Sequence, residues 1–448
     1  MTYRFIKYAL FVCLLALAGC ARLPFQPGNG QLVGTKTPEA GLPNPPSSSL
    51  ATEATVAPIT PQETEAITHP VEGATLRIWL PPEFDPAGNS PASQLLKARL
   101  EEFEAENPGV ELEVRVKALD GTGGLLDALS AANAAAPLAL PDLILLPRPL
   151  LESAALKGLL HPYDGLSSVV DDQGWFDYAR QLARLKSSTY GMPFAGDAMV
   201  MASHPSRIDN PPNLLESAIS LGEALLFPAT DPQALFTLQM YLATGEGLYD
   251  ADGRPSMDKD TLANILENYL RASQAGVMPY WITQYSSDAQ VWEAFKGDQY
   301  PMAATWASTY LKNKSAAPAD LSLEPLPTLD GSPSTLATGW SWALAGTDQE
   351  RRILSVRLAE FLVDKEFLAP WTYTAGYLPP RVDALQSWQD VDLRRKIEQI
   401  SYSAQLMPPM DLISSIGPPV EQAVVDVLKA QSDPESAAQT AIDKINKP

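Results

Sequence analysis

The 448-residue sequence is poor in the residues that build covalent or metal-held frameworks. It has two cysteines, Cys13 and Cys20, and three histidines, His69, His161 and His204. Both cysteines fall in the first twenty positions, so the rest of the chain has no thiol for a disulfide or a thiolate metal site. None of the histidines has a metal-ligand spacing. Long apolar runs are missing too: the stretch from Tyr8 to Ala18 is about half the ~20 residues that a spanning helix needs. Positive charge is scarce, with 32 Lys and Arg against 53 Asp and Glu and a net charge of −21. That balance argues against a nucleic-acid partner, whose phosphates demand Lys and Arg, and against spreading on anionic lipid. It serves solubility through self-repulsion. No Gly-Lys-Ser/Thr phosphate loop occurs, and no cofactor is expected.

What is present begins with Arg4 and Lys7, the apolar run, and Leu17-Ala18-Gly19-Cys20. This order of basic, apolar and small residues before a cysteine resembles a bacterial lipoprotein leader. The resemblance implies cleavage before Cys20 and lipidation of its thiol. Residues 1–19 are then the signal and 20–73 a tether. The tether is rich in Pro, Thr and Ser, as in Gly41–Ser49, and has no apolar periodicity with which to offset ordering entropy.

Globular patterning starts at Ala74. Leu76–Leu80 alternates as a strand, Gln94–Glu106 is a helix with Leu96, Leu100 and Phe103 on one face, and Val110–Val116 alternates again. Strand, helix and strand over this span predict a parallel βαβ unit. A helix over Gly124–Ala135 and the apolar strand Leu143–Leu146 repeat the pattern. The middle, 197–325, reads as mostly helical, with helices at Leu214–Leu226, Pro232–Thr244, Lys259–Ala275 and Ala289–Lys296. Strands return at Leu321–Pro327 and Gly339–Leu344. Thr347-Asp-Gln-Glu350 reads as a capping box for a helix to Val363, and Asp433-Pro434 opens the last helix. The fold class is α/β, and a chain of this length calls for two lobes.

Several segments in order resemble one family. They are the first strand and the helix ending Phe103–Pro108, Pro141-Asp-Leu-Ile144, Leu156–Tyr163, Tyr190-Gly-Met-Pro193, Phe295–Trp306, Ala375-Gly-Tyr-Leu-Pro-Pro-Arg381, and the helical ending Val420–Ile445. Together they are similar to the bacterial extracellular solute-binding lipoproteins of ABC importers, within these the maltose-binding-protein-like group. The resemblance implies a periplasmic-binding-protein fold of two lobes, each discontinuous in sequence: 74–196 with 326–368, and 197–325 with 369–448. A hinge joins them, and a cleft closes on a small solute, here a carbohydrate, for delivery to permease subunits. It implies a monomer held outside the cytoplasm by lipid.

Sugars are held by aromatic faces and planar polar groups. On the matching segments the candidates are Trp306, then Trp340, with Trp342 either beside it or in the core. Tyr377 and Arg381 flank the Leu-Pro-Pro turn, Arg381 having a structural pairing as its alternative. Asp197 stands at the lobe crossing as a hydroxyl acceptor or a hinge cap. Glu83 and Asp85 follow the first strand, with a solvated loop as the alternative. Tyr280 and Trp281 are weaker candidates. One place departs from the family: Ala202-Ser203-His204-Pro205 stands where Tyr-Asn is usual.

Two other readings stay open. A surface glycoside hydrolase needs two carboxylates facing each other across a sugar, though the acids at 101–106 read as a solvated helix face. A degenerate binding protein with a sensing or structural role is the other. Gly339-Trp-Ser-Trp-Ala343 lacks the second glycine of a nucleophile elbow. Asp250-Ala-Asp-Gly253 reads as a polar turn and not a calcium loop.

Overall fold

A computed structural model describes residues 73–297, 299–314 and 320–447. The leader, Cys20 and all but the last residue of the expected tether lie outside the described residues. The strands are β1 (Ala74–Leu80), β2 (Val110–Val116), β3 (Leu143–Pro147), β4 (Arg184–Leu185), β5 (Ser188–Thr189), β6 (Met192–Ser203), β7 (Leu225–Leu226), β8 (Met302–Trp306), β9 (Ser322–Glu324), β10 (Thr335–Leu344) and β11 (Ala404–Leu406).

Strands β1, β2 and β3 are parallel, as the βαβ pattern requires. Their side chains divide between two apolar layers. Leu76, Ile78, Leu143 and Leu145 join the main core, while Trp79, Ile144 and Leu146 face a second cluster with Leu125, Leu129 and Leu151. A strand covered on both faces has no solvated side, which is why Leu143–Leu146 is a continuous apolar run.

The sheet runs in the order β2-β1-β3-β10-β6-β8-β7, with β11 beside β10 and β9 beside β6. Strand β6 joins its two halves. Residues up to Ala198 pair with β10, and Met199 onward pair with β8. Asp197 stands one residue before this exchange. No strand is predicted there from the sequence: 190–193 enters only as a matching segment, and the residues after 197 read as mostly helical. The second half of β6 carries Met199, Val200, Met201 and Ala202, all buried in the main core.

Other differences are local. Leu214–Leu226 is not one helix: the helix is Leu215–Leu221, and Gly222, at φ 71°, turns the chain so that Leu225–Leu226 pairs with β8. Glycine alone takes this left-handed cap without cost. The helix after 347 is capped by Asp348 and not Thr347, with the Arg351 amide donating to the Asp348 carboxylate at 2.9 Å. The final helix opens on Asp433 and Pro434 as expected, with Ser436 donating to Asp433 at 3.0 Å.

The helices Lys259–Gln274, Met410–Leu428 and Pro434–Ile445 pack on one another. Helix Lys365–Ala375 runs through the boundary expected at 368/369 and packs on helix Pro91–Glu106. His204, at the place that departs from the family, is buried. Its ring stacks on Phe295 at 4.4 Å, and its two nitrogens lie 2.9 and 3.2 Å from the carbonyl oxygens of Asp320 and Phe295. The departure therefore falls on a packing contact.

Candidate functional site

The site grows from the carboxyl end of β1. Pro81 and Pro82 end the strand and start a tight turn that buries Phe84 and leaves Glu83 exposed. Phe84 is the centre of an aromatic group. Its ring meets Trp340 edge-on at 4.8 Å and stacks on Tyr377 at 5.5 Å and Trp371 at 5.9 Å. Trp371 meets Phe194 at 4.1 Å, and Phe194 meets Trp342 at 5.3 Å. Such pairs add about 0.5–1.5 kcal/mol each beyond burial, so this group rigidifies the floor.

Tyr377 is placed by the end of helix Lys365–Ala375. Gly376, at φ 71°, closes that helix, and a side chain there would lie 2.7 Å from the Lys312 stem. The next residues pair with the crossing strand: Gly196 N–H donates to Leu378 at 2.8 Å, and Leu378 N–H to Gly196 at 2.9 Å.

From the other half of the sheet comes helix Ala307–Asn313, which begins directly after β8. Ser308 and Lys312 are one turn apart and share a face. Asp197 accepts the Ser308 amide at 2.9 Å and the Ser308 hydroxyl as well. Burial pushes the Asp197 carboxyl up to about 6, against those hydrogen bonds and the nearby Lys312 ammonium. Lys312 sits 3.9 Å from the centre of the Tyr377 ring. Burial lowers its ammonium, while Asp197 and then Glu83 hold it up. Burial, then the Asp197 and Glu83 charges, raise the Tyr377 phenol.

These groups border a cavity of about 280 Å³, lined among others by Glu83, Phe84, Lys312, Trp371, Thr374 and Tyr377. A larger hollow of about 690 Å³ runs along the β4–β5 hairpin, from Asp164 to Thr189. It carries no aromatic lining, and its Arg184 is already paired with Asp171.

The structure thus brings Glu83, Tyr377, Asp197 and Trp340 into one neighbourhood. Trp306 pairs with Met199 and precedes the helix that carries Ser308 and Lys312, but it does not line the cavity. Trp342 is fully buried. Asp85 receives the Ala87 amide at 2.8 Å and shapes its own turn. Arg381 forks onto Asp383 at 3.1 and 3.3 Å and lies over Trp175 at 4.8 Å. Tyr280 is exposed, and Trp281 packs on Tyr300 at 5.0 Å. Sequence reasoning missed Lys312, Ser308 and Trp371. The i, i+4 spacing of Ser308 and Lys312 just past Trp306 was the available signal.

A family model described as bacterial extracellular solute-binding protein matches residues 98–394. The chain belongs to this family. Its fold is similar to that of solved binding proteins. One is the sugar-binding protein MalE of Xanthomonas citri, at 19% identity and TM-score 0.68, covering 83% of this chain and 97% of that one. Another is the cyclic α-maltosyl-1,6-maltose binding protein of Arthrobacter globiformis, at 15% and 0.68, covering 84% and 98%. A third is an ABC-transporter solute-binding protein of Agrobacterium radiobacter K84 in complex with ribitol, at 18% and 0.59, covering 84% and 98%. All three are binding proteins. No functionally curated protein matches this sequence. In this solute-binding protein, as in open α/β sheets generally, the cavity lies outside the carboxyl ends of strands, here β1 and β8. Among the described residues no helix is long and apolar enough to cross a membrane, and no cluster of ligating side chains fits a metal ion.

Proposed function

We propose that this protein is an extracytoplasmic receptor that captures a carbohydrate-type solute and hands it to the permease subunits of an ABC importer, without covalent chemistry. The observation that carries the reading is the cavity between the loop after β1, the helix after β8 and the end of helix Lys365–Ala375. It takes Glu83 from one side and Lys312 from the other. A solute touching both sides stabilises the closed arrangement, which is the physical basis of a receptor signal. Membership of the solute-binding family and likeness to a sugar-binding MalE, to a cyclic α-maltosyl-1,6-maltose binding protein and to a binding protein in complex with ribitol support the class of solute.

The lobes are 74–196 with 326–368, and 197–325 with 369–448, with β6 and β10 as the crossing strands. Helix Lys365–Ala375 packs on Pro91–Glu106, so 369–375, counted in the second range, travel with the first lobe. Glu83 and Tyr377 line the cavity and are the residues nearest the solute, with Asp197, Trp340 and Trp306 behind them. The chain acts as a monomer, and lipid on Cys20 holds it at the membrane through the segment 20–73.

Thermal unfolding of the purified protein against a panel of sugars and polyols tests the function. A bound solute at 100 times its dissociation constant adds about 2.7 kcal/mol. Hydrolysis of a glycan without stabilisation by any solute refutes the receptor and favours the hydrolase.

A further inference from the structure

We infer that Lys312 and Glu83 make this cavity selective for an uncharged solute of one sugar ring, or an open-chain polyol of that size, over oligosaccharides and charged sugars. The inference rests on the receptor reading above.

The first ground is hydrogen-bonding capacity. The Lys312 ammonium carries three N–H donors. Among the described residues it has no hydrogen bond and no ion pair within 4 Å, and it lies 3.9 Å from the centre of the Tyr377 ring. The Glu83 carboxylate is likewise without a hydrogen bond or ion pair and accepts only. Trp371 is 2% exposed, lines the cavity, and has an indole N–H without a partner. A buried donor left unmade is costly. The Thr374 hydroxyl adds one more group on the lining, able both to donate and to accept. A hydroxyl both donates and accepts. Neighbouring hydroxyls of a polyol can therefore accept hydrogen bonds from Lys312 and donate them to Glu83.

The second ground is charge. One ammonium and one carboxylate face the same small space. A uronate is attracted by Lys312 and opposed by Glu83 and Asp197; an amino sugar meets the reverse. Neither sign gains what a neutral polyol gains from both groups. The third ground is size. At about 280 Å³, the cavity falls just under the ~300–1,000 Å³ range of ordinary small-molecule sites. The partly closed aromatic wall of Phe84, Trp371 and Tyr377 matches the C–H face of a single ring.

The test is thermal unfolding and calorimetric titration of the full chain with glucose, ribitol, glucuronate, glucosamine and maltotetraose at equal concentration. Glucose or ribitol is expected to stabilise the protein most. Lys312→Met and Glu83→Gln should each weaken that solute by roughly tenfold to a hundredfold, the loss of a hydrogen bond to a charged group, while unfolding of the unliganded variants stays near wild type. Glu83 is exposed, so its variant tests the proposal even if Lys312→Met folds poorly. Tightest binding of maltotetraose, glucuronate or glucosamine overturns the inference and leaves the receptor standing. Unchanged affinity in both variants also overturns it. No stabilisation by any of the five solutes counts against this inference, and failure across the wider panel removes the receptor reading itself.

Discussion

The Asp197 carboxylate accepts the Ser308 amide at 2.9 Å, joining the strand that crosses the molecule to the first turn of the helix after β8. The bond ties the conformation of the crossing to the helix that presents Lys312. It also holds a carboxylate in a place that penalises its charge.

That penalty has a sign. Burial raises the folded pKa of Asp197 from 3.8 to about 6, so the native state binds the extra proton between those values. Its stabilising contribution is complete below pH 3.8 and is lost as pH rises through 6. Asp197→Asn removes the dependence. Relative to wild type the variant should gain stability from pH 4 to pH 7, by up to about 3 kcal/mol. Denaturation midpoints of both proteins at the two pH values measure this, and a difference independent of pH contradicts it.

Arg148 should be among the costliest side chains to remove. It is 7% exposed and donates to the carbonyls of Gln181, Leu182 and Arg184 at 2.8, 2.9 and 2.6 Å. It also pairs with Glu152 at 2.7 Å. Arg148→Met leaves a buried carboxylate alone and is expected to lose about 3–5 kcal/mol. Adding Glu152→Leu should recover part of that loss. Urea unfolding of the single and double variants decides; a double variant no better than the single one counts against the ion-pair account.

Helix Met410–Leu428 approaches the loop before residue 235 at Gly417. A side chain there would stand 2.4 Å from the Pro232 carbonyl and 2.9 Å from Gln233 Cα, both backbone. Gly417→Ala should cost about 1–3 kcal/mol, the range for overpacking a tight contact. Gly297→Ala, with nothing nearer than 3.8 Å, is the control and should stay within about 0.5 kcal/mol. Equal melting shifts for the two would show that the loop yields.

Cys20→Ala should move the protein from the membrane to the soluble extracytoplasmic fraction and abolish labelling by a radioactive fatty acid. Retention of label in the variant would place the lipid elsewhere.

The parallel strands of the first half were legible because their chemistry is local. Val110–Val116 alternates, Leu143–Leu146 is apolar throughout, and the cap at Asp433 is a one-residue signal. The second half was harder. β7 is two residues long, and β8 is Met-Ala-Ala-Thr-Trp, whose small residues have no strand preference of their own; pairing with β6 decides them. At the site, Glu83, Asp197, Trp340 and Tyr377 stood out by residue type and by place on matching segments. Lys312 and Trp371 did not, since each is unremarkable within its helix and gains meaning only from what faces it. Arg381 stood out equally, yet its guanidinium is engaged by Asp383.

By itself the sequence determined the α/β class, the scarcity of covalent staples and the ordered segments shared with the solute-binding family. These follow from periodicity, composition and short-range capping. Tertiary structure alone decided which polar groups meet. Asp197 reaches Ser308 across 111 residues, and Lys312 reaches Tyr377 because Gly376 lets two backbones come close. Contacts of that range depend on how β6 divides its pairing between β10 and β8, which no local pattern encodes.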